Sequence, residues 1–215
     1  MANLICIMGE SGSGKTTAMR NLDPARTYYI DCDKKGLSWR GWKTAYTPEL
    51  KNYIRTSEQG KVLALLSGIN EKCPDIHAVV IDTINGIMVD DEMRRMNEKG
   101  YDKWVDLAVA VYSIIDYALT MRDDMTVIFL AHCQTERDDF GNVWTRIKTS
   151  GKKLDKIVLE SKFPIVLLCK TVDGKHVFET QAKNSTAKSP LDMLPEIMDN
   201  DIAQVIDLMN EYYGG

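Results

Sequence analysis

The residues most able to do chemistry lie close to the amino terminus. Gly9-Glu10-Ser11-Gly12-Ser13-Gly14-Lys15-Thr16 fits the spacing G-x-x-x-x-G-K-[ST], and a second hydroxyl follows at Thr17. Glycines at these positions let the backbone turn with its N–H groups pointing inward around a phosphate. Lys15 then reaches the β- and γ-phosphates as a point charge, and the Thr16 hydroxyl is placed to ligate Mg²⁺. An apolar run, Leu4 to Met8, precedes the loop, and a short helix is expected from Thr16 to Leu22. That strand–loop–helix context separates a phosphate-binding loop from a chance glycine-rich turn. A nucleoside triphosphate, ATP with Mg²⁺, is the expected ligand.

Other chemistry-bearing residues sit where strands should end. His77 to Asp82 is a buried-strand pattern closing on a carboxylate. Asp82 can complete the Mg²⁺ shell with Thr16, or more plainly cap a turn. The next residue is Thr83; a glutamate there would suggest an AAA+ engine with its base in place, so the base is expected elsewhere. Asp31 and Asp33 end the run Thr27 to Ile30 and are the obvious source, with Asp33 favoured to orient or deprotonate water. Their plainer role is to solvate a loop. His132 ends the strand Thr126 to His132, where it either contacts the γ-phosphate or is structural. The following segment, Gln134 to Lys153, carries Arg137, Trp144, Arg146, Lys148, Lys152 and Lys153 about a turn at Asp138 to Asn142. Cations with an aromatic suit a single nucleic-acid strand. Glu136, Asp138 and Asp139 also fit an exposed hairpin of mixed charge.

These groups need a scaffold that delivers strand ends to one edge. Beyond the strands named, Lys43 to Tyr46 reads as a short strand, and Pro48 to Ile54 as a helix start with Thr47 as N-cap. Val62, Leu63, Leu65, Leu66 and Ile69 give a helix ended by Pro74. A long helix is expected from Tyr101 to Met121, with Trp104, Leu107, Ala108, Val111, Ile114, Ile115, Ala118 and Leu119 at helical spacing. Ile165 to Cys169 and His176 to Phe178 read as strands joined by a Val172-Asp173-Gly174-Lys175 turn. A last helix follows Pro195 with Ile197, Ile202, Val205, Ile206 and Met209. The alternation predicts an α/β fold: a mostly parallel twisted sheet, helices on both faces and an antiparallel C-terminal edge, in one domain over 1–215.

Composition is that of a globular protein: 215 residues, 44% hydrophobic and 27% charged. A net charge of −4 argues against a generally basic nucleic-acid coat and leaves room for a local basic patch. No apolar run approaches the roughly 20 residues of a membrane span. The chain opens directly on a strand, so no signal peptide and no membrane partner are expected. The five cysteines lack metal-type spacing, and Cys6, Cys133 and Cys169, in or at the ends of apolar runs, suit buried thiols in a reducing cytosol.

In order along the chain, Gly9 to Thr17, Ile30-Asp31-Cys32-Asp33, Asp82-Thr83 and Phe129 to His132 resemble the RecA-like ATPase core. Gly151-Lys152-Lys153-Leu154 and Lys183 through Pro190 resemble the way that core closes. The short chain and His132 look most like the small bacteriophage RecA-like single-strand annealing recombinases. The resemblance implies an ATPase with ATP-controlled single-stranded DNA binding in recombination, assembly into a ring or filament, and a single-strand-binding protein as a further partner. It also implies that Lys183 or Lys188 reaches a neighbour's γ-phosphate. The family's catalytic acid is usually Glu and its bacterial sensor Gln; Asp33 and His132 stand there in this chain, which predicts slow hydrolysis. A nucleotide-dependent switch recruiting a protein partner, and a P-loop small-molecule kinase, are the alternatives. No arginine-rich lid of the kinase kind is seen.

Overall fold

The computed structural model describes residues 1–98, 102–137, 140–149 and 158–214, without the side chains of 102–104 and 108. The expected core positions Trp104 and Ala108 and the loop lysines Lys152 and Lys153 therefore lie outside the described side chains, as do Asp138, Asp139 and the 151–154 stretch. Among described residues the strands are β1 (Asn3–Gly9), β2 (Thr27–Asp31), β3 (Tyr53–Arg55), β4 (Ala78–Asp82), β5 (Thr126–Arg137), β6 (Val143–Ile147), β7 (Ile165–Val172), β8 (Lys175–Glu179) and β9 (Ile197–Asp199). The α-helices are α1 (Trp42–Ala45), α2 (Gln59–Lys72), α3 (Ile84–Arg94), α4 (Asp102–Leu119) and α5 (Ile202–Gly214).

The sheet runs β3-β2-β4-β5-β1-β7-β8-β9, with β6 pairing the outer half of β5. From β3 to β7 all pairs are parallel; β8 and β9 are antiparallel, as the sequence predicts. Strands covered on both faces read as continuous apolar runs, which is why β1, β4 and β5 stand out in the sequence. Alternate side chains feed two cores. Leu4, Cys6, Met8, Val79, Ile81 and Phe129 meet α2, α3 and α4. Ile5, Ile7, Val80, Ile128 and Leu130 meet α5 and the segment after the phosphate loop. In the β7–β8 turn Asp173 (φ 50°) and Gly174 (φ 77°) are both left-handed, as a two-residue hairpin of this twist requires.

Four expected elements are corrected. Lys43 to Tyr46 is not a strand: α1 is a single helical turn leaving Gly41 in the left-handed region (φ 88°), closed by the Tyr46 N–H donating to the Trp42 carbonyl. The strand beside β2 is Tyr53–Arg55 instead. The Pro48 helix stops after one turn. Thr47 Oγ1 does accept the Leu50 N–H as an N-cap would, but Lys51 turns left-handed (φ 54°) and the chain extends into β3. The phosphate loop leads into a 3-10 turn, Thr17–Met19, rather than a helix reaching Leu22. Its bonds tighten to the i−3 carbonyl as the chain approaches Asp23-Pro24. Ile197 belongs to β9, and α5 begins later, at Ile202, behind Asp201, whose carboxylate accepts the Ala203 N–H.

Candidate functional site

The parallel register sets the site. Gly9 lies opposite His132 on one side and Cys169 on the other, and Asp31 lies opposite Asp82. All the expected strand-end groups therefore gather at the carboxyl edge, where parallel sheets take their ligands. β5, which carries His132, separates the phosphate-loop strand from the Asp82 strand.

In the loop, Gly12 (φ 80°) and Gly14 (φ 100°) are left-handed. Gly9 is fixed by crowding instead: a Cβ there would lie 2.5 Å from Ser13 Oγ and 2.6 Å from the Cys169 carbonyl. Lys15 is buried and donates to the Gly9 and Glu10 carbonyls at 2.8 and 2.7 Å. Burial lowers its pKa, an effect opposed by the Cys169 and Asp82 charges. The lysine thus folds over its own loop, where two carbonyls hold the ammonium that a phosphate would claim.

Thr16 Oγ1 donates to Asp82 Oδ2 at 2.8 Å, and Tyr29 donates to the same oxygen at 2.6 Å. Asp82 Oδ1 is buried without a partner among the described residues, and so is Ser13 Oγ. Burial raises the Asp82 pKa, while Tyr29, Lys35 and Thr16 pull it back. A buried carboxylate with an unused oxygen beside a threonine hydroxyl is a hard-oxygen donor pair, and it fits Mg²⁺. Tyr29 was hidden in the sequence because it reads as one more aromatic in a strand.

The two strand-end acids part company. Asp31 Oδ2 accepts the Gly36 N–H and the Tyr53 hydroxyl at 2.8 and 2.7 Å, with Arg55 Nε at 3.6 Å. It is a structural anchor for β3. Asp33 takes Lys35 on Oδ2 at 2.6 Å and the Thr83 hydroxyl on Oδ1 at 2.8 Å. Burial pushes its pKa up, but Lys35 and Thr83 outweigh that and hold it below the ordinary carboxylate value. Thr83 also caps α3 by accepting the Gly86 N–H. α3 itself escapes sequence reading because Gly86 and the Asp90-Asp91-Glu92 run blur its apolar stripe.

His132 is half-buried. Burial lowers its pKa, and Lys15 lowers it further, so the imidazole is neutral at pH 7. The His132 backbone N–H donates to Asn85 Oδ1 at 2.7 Å, and Asn85 Nδ2 donates to the Lys148 carbonyl at 2.8 Å. Lys148 N–H donates back to the His132 carbonyl at 2.7 Å. Buried Asn85, which sequence reasoning missed, thus ties α3 to β5 and to the segment after β6.

Beyond His132 the segment is a hairpin, the alternative to a nucleic-acid loop, with β5 and β6 antiparallel from Cys133–Ile147 to Arg137–Val143. Arg137 and Lys148 are exposed. Trp144 sits opposite Glu136, and Arg146 lies 3.6 Å from the Glu136 carboxylate. Lys183 is exposed and pairs with Glu196 at 2.6 Å, while Lys188 pairs its backbone with Val166 in β7.

Compared with known families, residues 1–191 match the model described as an AAA domain. The chain belongs to the AAA domain family. No curated protein matches it. Nucleotide binding and ATPase activity are what membership of that family suggests, in accord with the loop, the Thr16–Asp82 pair and the mixed α/β sheet. In this AAA domain the residue after Asp82 is a hydroxyl, Thr83, and that hydroxyl is turned to Asp33. No described helix is long and apolar enough to cross a membrane.

Proposed function

We propose that this AAA domain binds and hydrolyses ATP with Mg²⁺. We further propose that it uses the bound state to control single-stranded DNA on the β5–β6 hairpin, as a RecA-like protein of phage-type recombination and single-strand annealing. The observation that carries the nucleotide part is the buried Asp82 Oδ1, unpartnered among the described residues, beside Thr16 at the mouth of a loop whose lysine occupies its own carbonyls.

Mg²⁺, when bound, draws charge from the phosphate oxygens. Lys15 exchanges two carbonyls for phosphate oxygens, and the loop amides cradle the rest. Asp33 orients water and accepts its proton. The water oxygen bonds to the γ-phosphorus, the bond from that phosphorus to the bridging oxygen breaks, and ADP and inorganic phosphate leave. His132 contacts the γ-phosphate, and its strand runs without interruption into the hairpin. Asn85 supports that coupling, since one side chain holds both the His132 amide and the Lys148 carbonyl. Self-association into a ring or filament would bring Lys183 or Lys188 to a neighbour's phosphate. The exposed Lys183–Glu196 pair is a tie that such a contact can replace.

Fluorescence anisotropy with a labelled oligothymidine, in ADP and in a slowly hydrolysed ATP analogue, tests the reading. Binding should appear with the analogue, fall steeply with salt, and weaken by about 1–3 kcal/mol in Trp144→Ala. Absence of binding at low salt in both states would favour the second reading, a nucleotide switch that recruits protein. The Arg146–Glu136 contact, which spends a hairpin cation inside the hairpin, favours that alternative.

A further inference from the structure

The three residues after Asp33 are held in an unusual way. Lys34 (φ 59°) and Gly36 (φ 82°) are both left-handed. Gly36 N–H donates to Asp31, and the Trp42 ring lies so close that a Cβ at Gly36 would be 2.8 Å from it. This pinned turn sends its two lysines apart. Lys34 goes outward to Asp90 at 2.5 Å. Lys35 goes inward to Asp33 Oδ2 at 2.6 Å, with its side chain still 49% exposed.

The inward ammonium is not an ordinary surface charge. It feels Asp82 and Asp31 as well as Asp33, and it acts in turn on Lys15 and His132. It therefore lies within electrostatic range of each ionisable group assigned to phosphate, metal, water and γ-phosphate. Unlike Lys15 it is tethered to a carboxylate rather than to carbonyls, on a long stem of rotatable bonds.

We propose that Lys35 is a catalytic residue: a cation supplied in cis that leaves Asp33 for the terminal phosphate when a nucleoside triphosphate binds. The inference rests on the nucleotide-hydrolysis reading above. A triphosphate brings more negative charge than the single Asp33 carboxylate, so the ammonium gains by moving. The same movement frees Asp33 Oδ2 to take the proton of water. One side chain thus neutralises charge on the transferring phosphoryl group and unmasks the base. ADP lacks the terminal phosphate and leaves the Lys35–Asp33 pair closed.

Calorimetric titration of wild type, Lys35→Gln and Lys35→Arg with ADP and with a non-hydrolysable ATP analogue, each with Mg²⁺, tests this alongside kcat and KM. Lys35→Gln should cut the preference for the analogue over ADP by about ten- to a hundredfold, the scale of one charged hydrogen bond, and leave ADP affinity unchanged. kcat/KM should fall by at least that factor, through a higher KM as well as a lower kcat, and Lys35→Arg should recover most of the preference. If Lys35→Gln keeps the wild-type preference, or if its kcat rises because Lys35 only restrains Asp33, the inference is overturned while the nucleotide reading stands. A wild-type chain that binds neither nucleotide overturns both.

Discussion

Replacing Tyr29 by Phe removes one oxygen from a fully buried position and leaves the ring contacts in place. Those contacts include an edge-on approach to Tyr46 at 5.7 Å and a tilted one to Tyr53 at 6.4 Å. What is lost is the 2.6 Å hydrogen bond to Asp82 Oδ2, leaving Thr16 as that oxygen's remaining donor among the described residues. A hydrogen bond to a buried charge is worth about 1.5–3 kcal/mol. For a chain of this length that lowers Tm by about 3–12 °C. The loss should depend on pH. Burial raises the Asp82 pKa in the folded state, so the native chain holds that proton more tightly than the unfolded one. Its contribution is present at acid pH and fades as pH rises through the folded value. The Tyr29 bond favours the ionised form, so Tyr29→Phe should cost most above that value and little below it. The variant should also require a higher pH before Mg²⁺-dependent nucleotide binding sets in, because the proton competes better for Asp82. Urea denaturation between acid and neutral pH, with and without Mg²⁺ and ATP, measures both effects. A loss that is independent of pH, or smaller than about 0.5 kcal/mol, would refute the argument that Tyr29 serves the ionised carboxylate.

Lys15→Ala should abolish ATP binding in calorimetry while shifting the urea midpoint little, because the two lost carbonyl contacts are offset by removing a desolvated ammonium. Asp31→Asn should cost about 1–3 kcal/mol in denaturant melts by disturbing the acceptor of Gly36 and Tyr53, with turnover per folded molecule retained. Asp33→Asn should instead lose turnover and keep ATP binding. Because the Asp33 pKa is lowered in the fold, its stabilisation is present above the unfolded value, about 3.9, and is lost as pH falls through the folded one. Asp33→Asn should therefore flatten the acid limb of the stability curve. Asn85→Ala should leave ATP affinity near wild type and remove the nucleotide dependence of oligonucleotide anisotropy.

What the sequence makes legible follows from how strongly local chemistry constrains it. The phosphate loop, β1, β4, β5 and the β7–β8 turn are dictated by glycine conformations and by strands apolar on both faces, and these appear where expected. Elements at the periphery are decided by single backbone events. Left-handed Gly41 starts α1 and left-handed Lys51 ends the Pro48 turn, and neither announces itself in a hydrophobic pattern. The same holds in the site. Asp82, Asp31 and Asp33 are visible as carboxylates at or just past strand ends, but only the folded contacts separate the anchor Asp31 from Asp33, which meets Lys35 and Thr83. Tyr29, Asn85 and Lys35 are not, since an aromatic in a strand, an amide in a helix and one of two adjacent lysines all have commoner roles. Their partners lie 53, 47 and 2 residues away, so two of the three contacts exist only once the sheet has formed.

The crowding at Gly9 bears on which sequences this scaffold can explore. Gly9 and Gly12 belong to the same motif, yet a side chain at Gly9 would collide with Ser13 and the backbone of Cys169 whatever the ligand, while a Cβ at Gly12 meets no described atom within 4 Å. Gly12 is held only by its positive φ, which asparagine and aspartate also tolerate. A library randomised at both positions and selected for folding alone should return glycine at Gly9 and a mixture with asparagine at Gly12. Selection for nucleotide binding should narrow Gly12 without altering the outcome at Gly9. The motif's first glycine is thus inherited from the architecture, and a lineage that abandoned nucleotides altogether would still keep it.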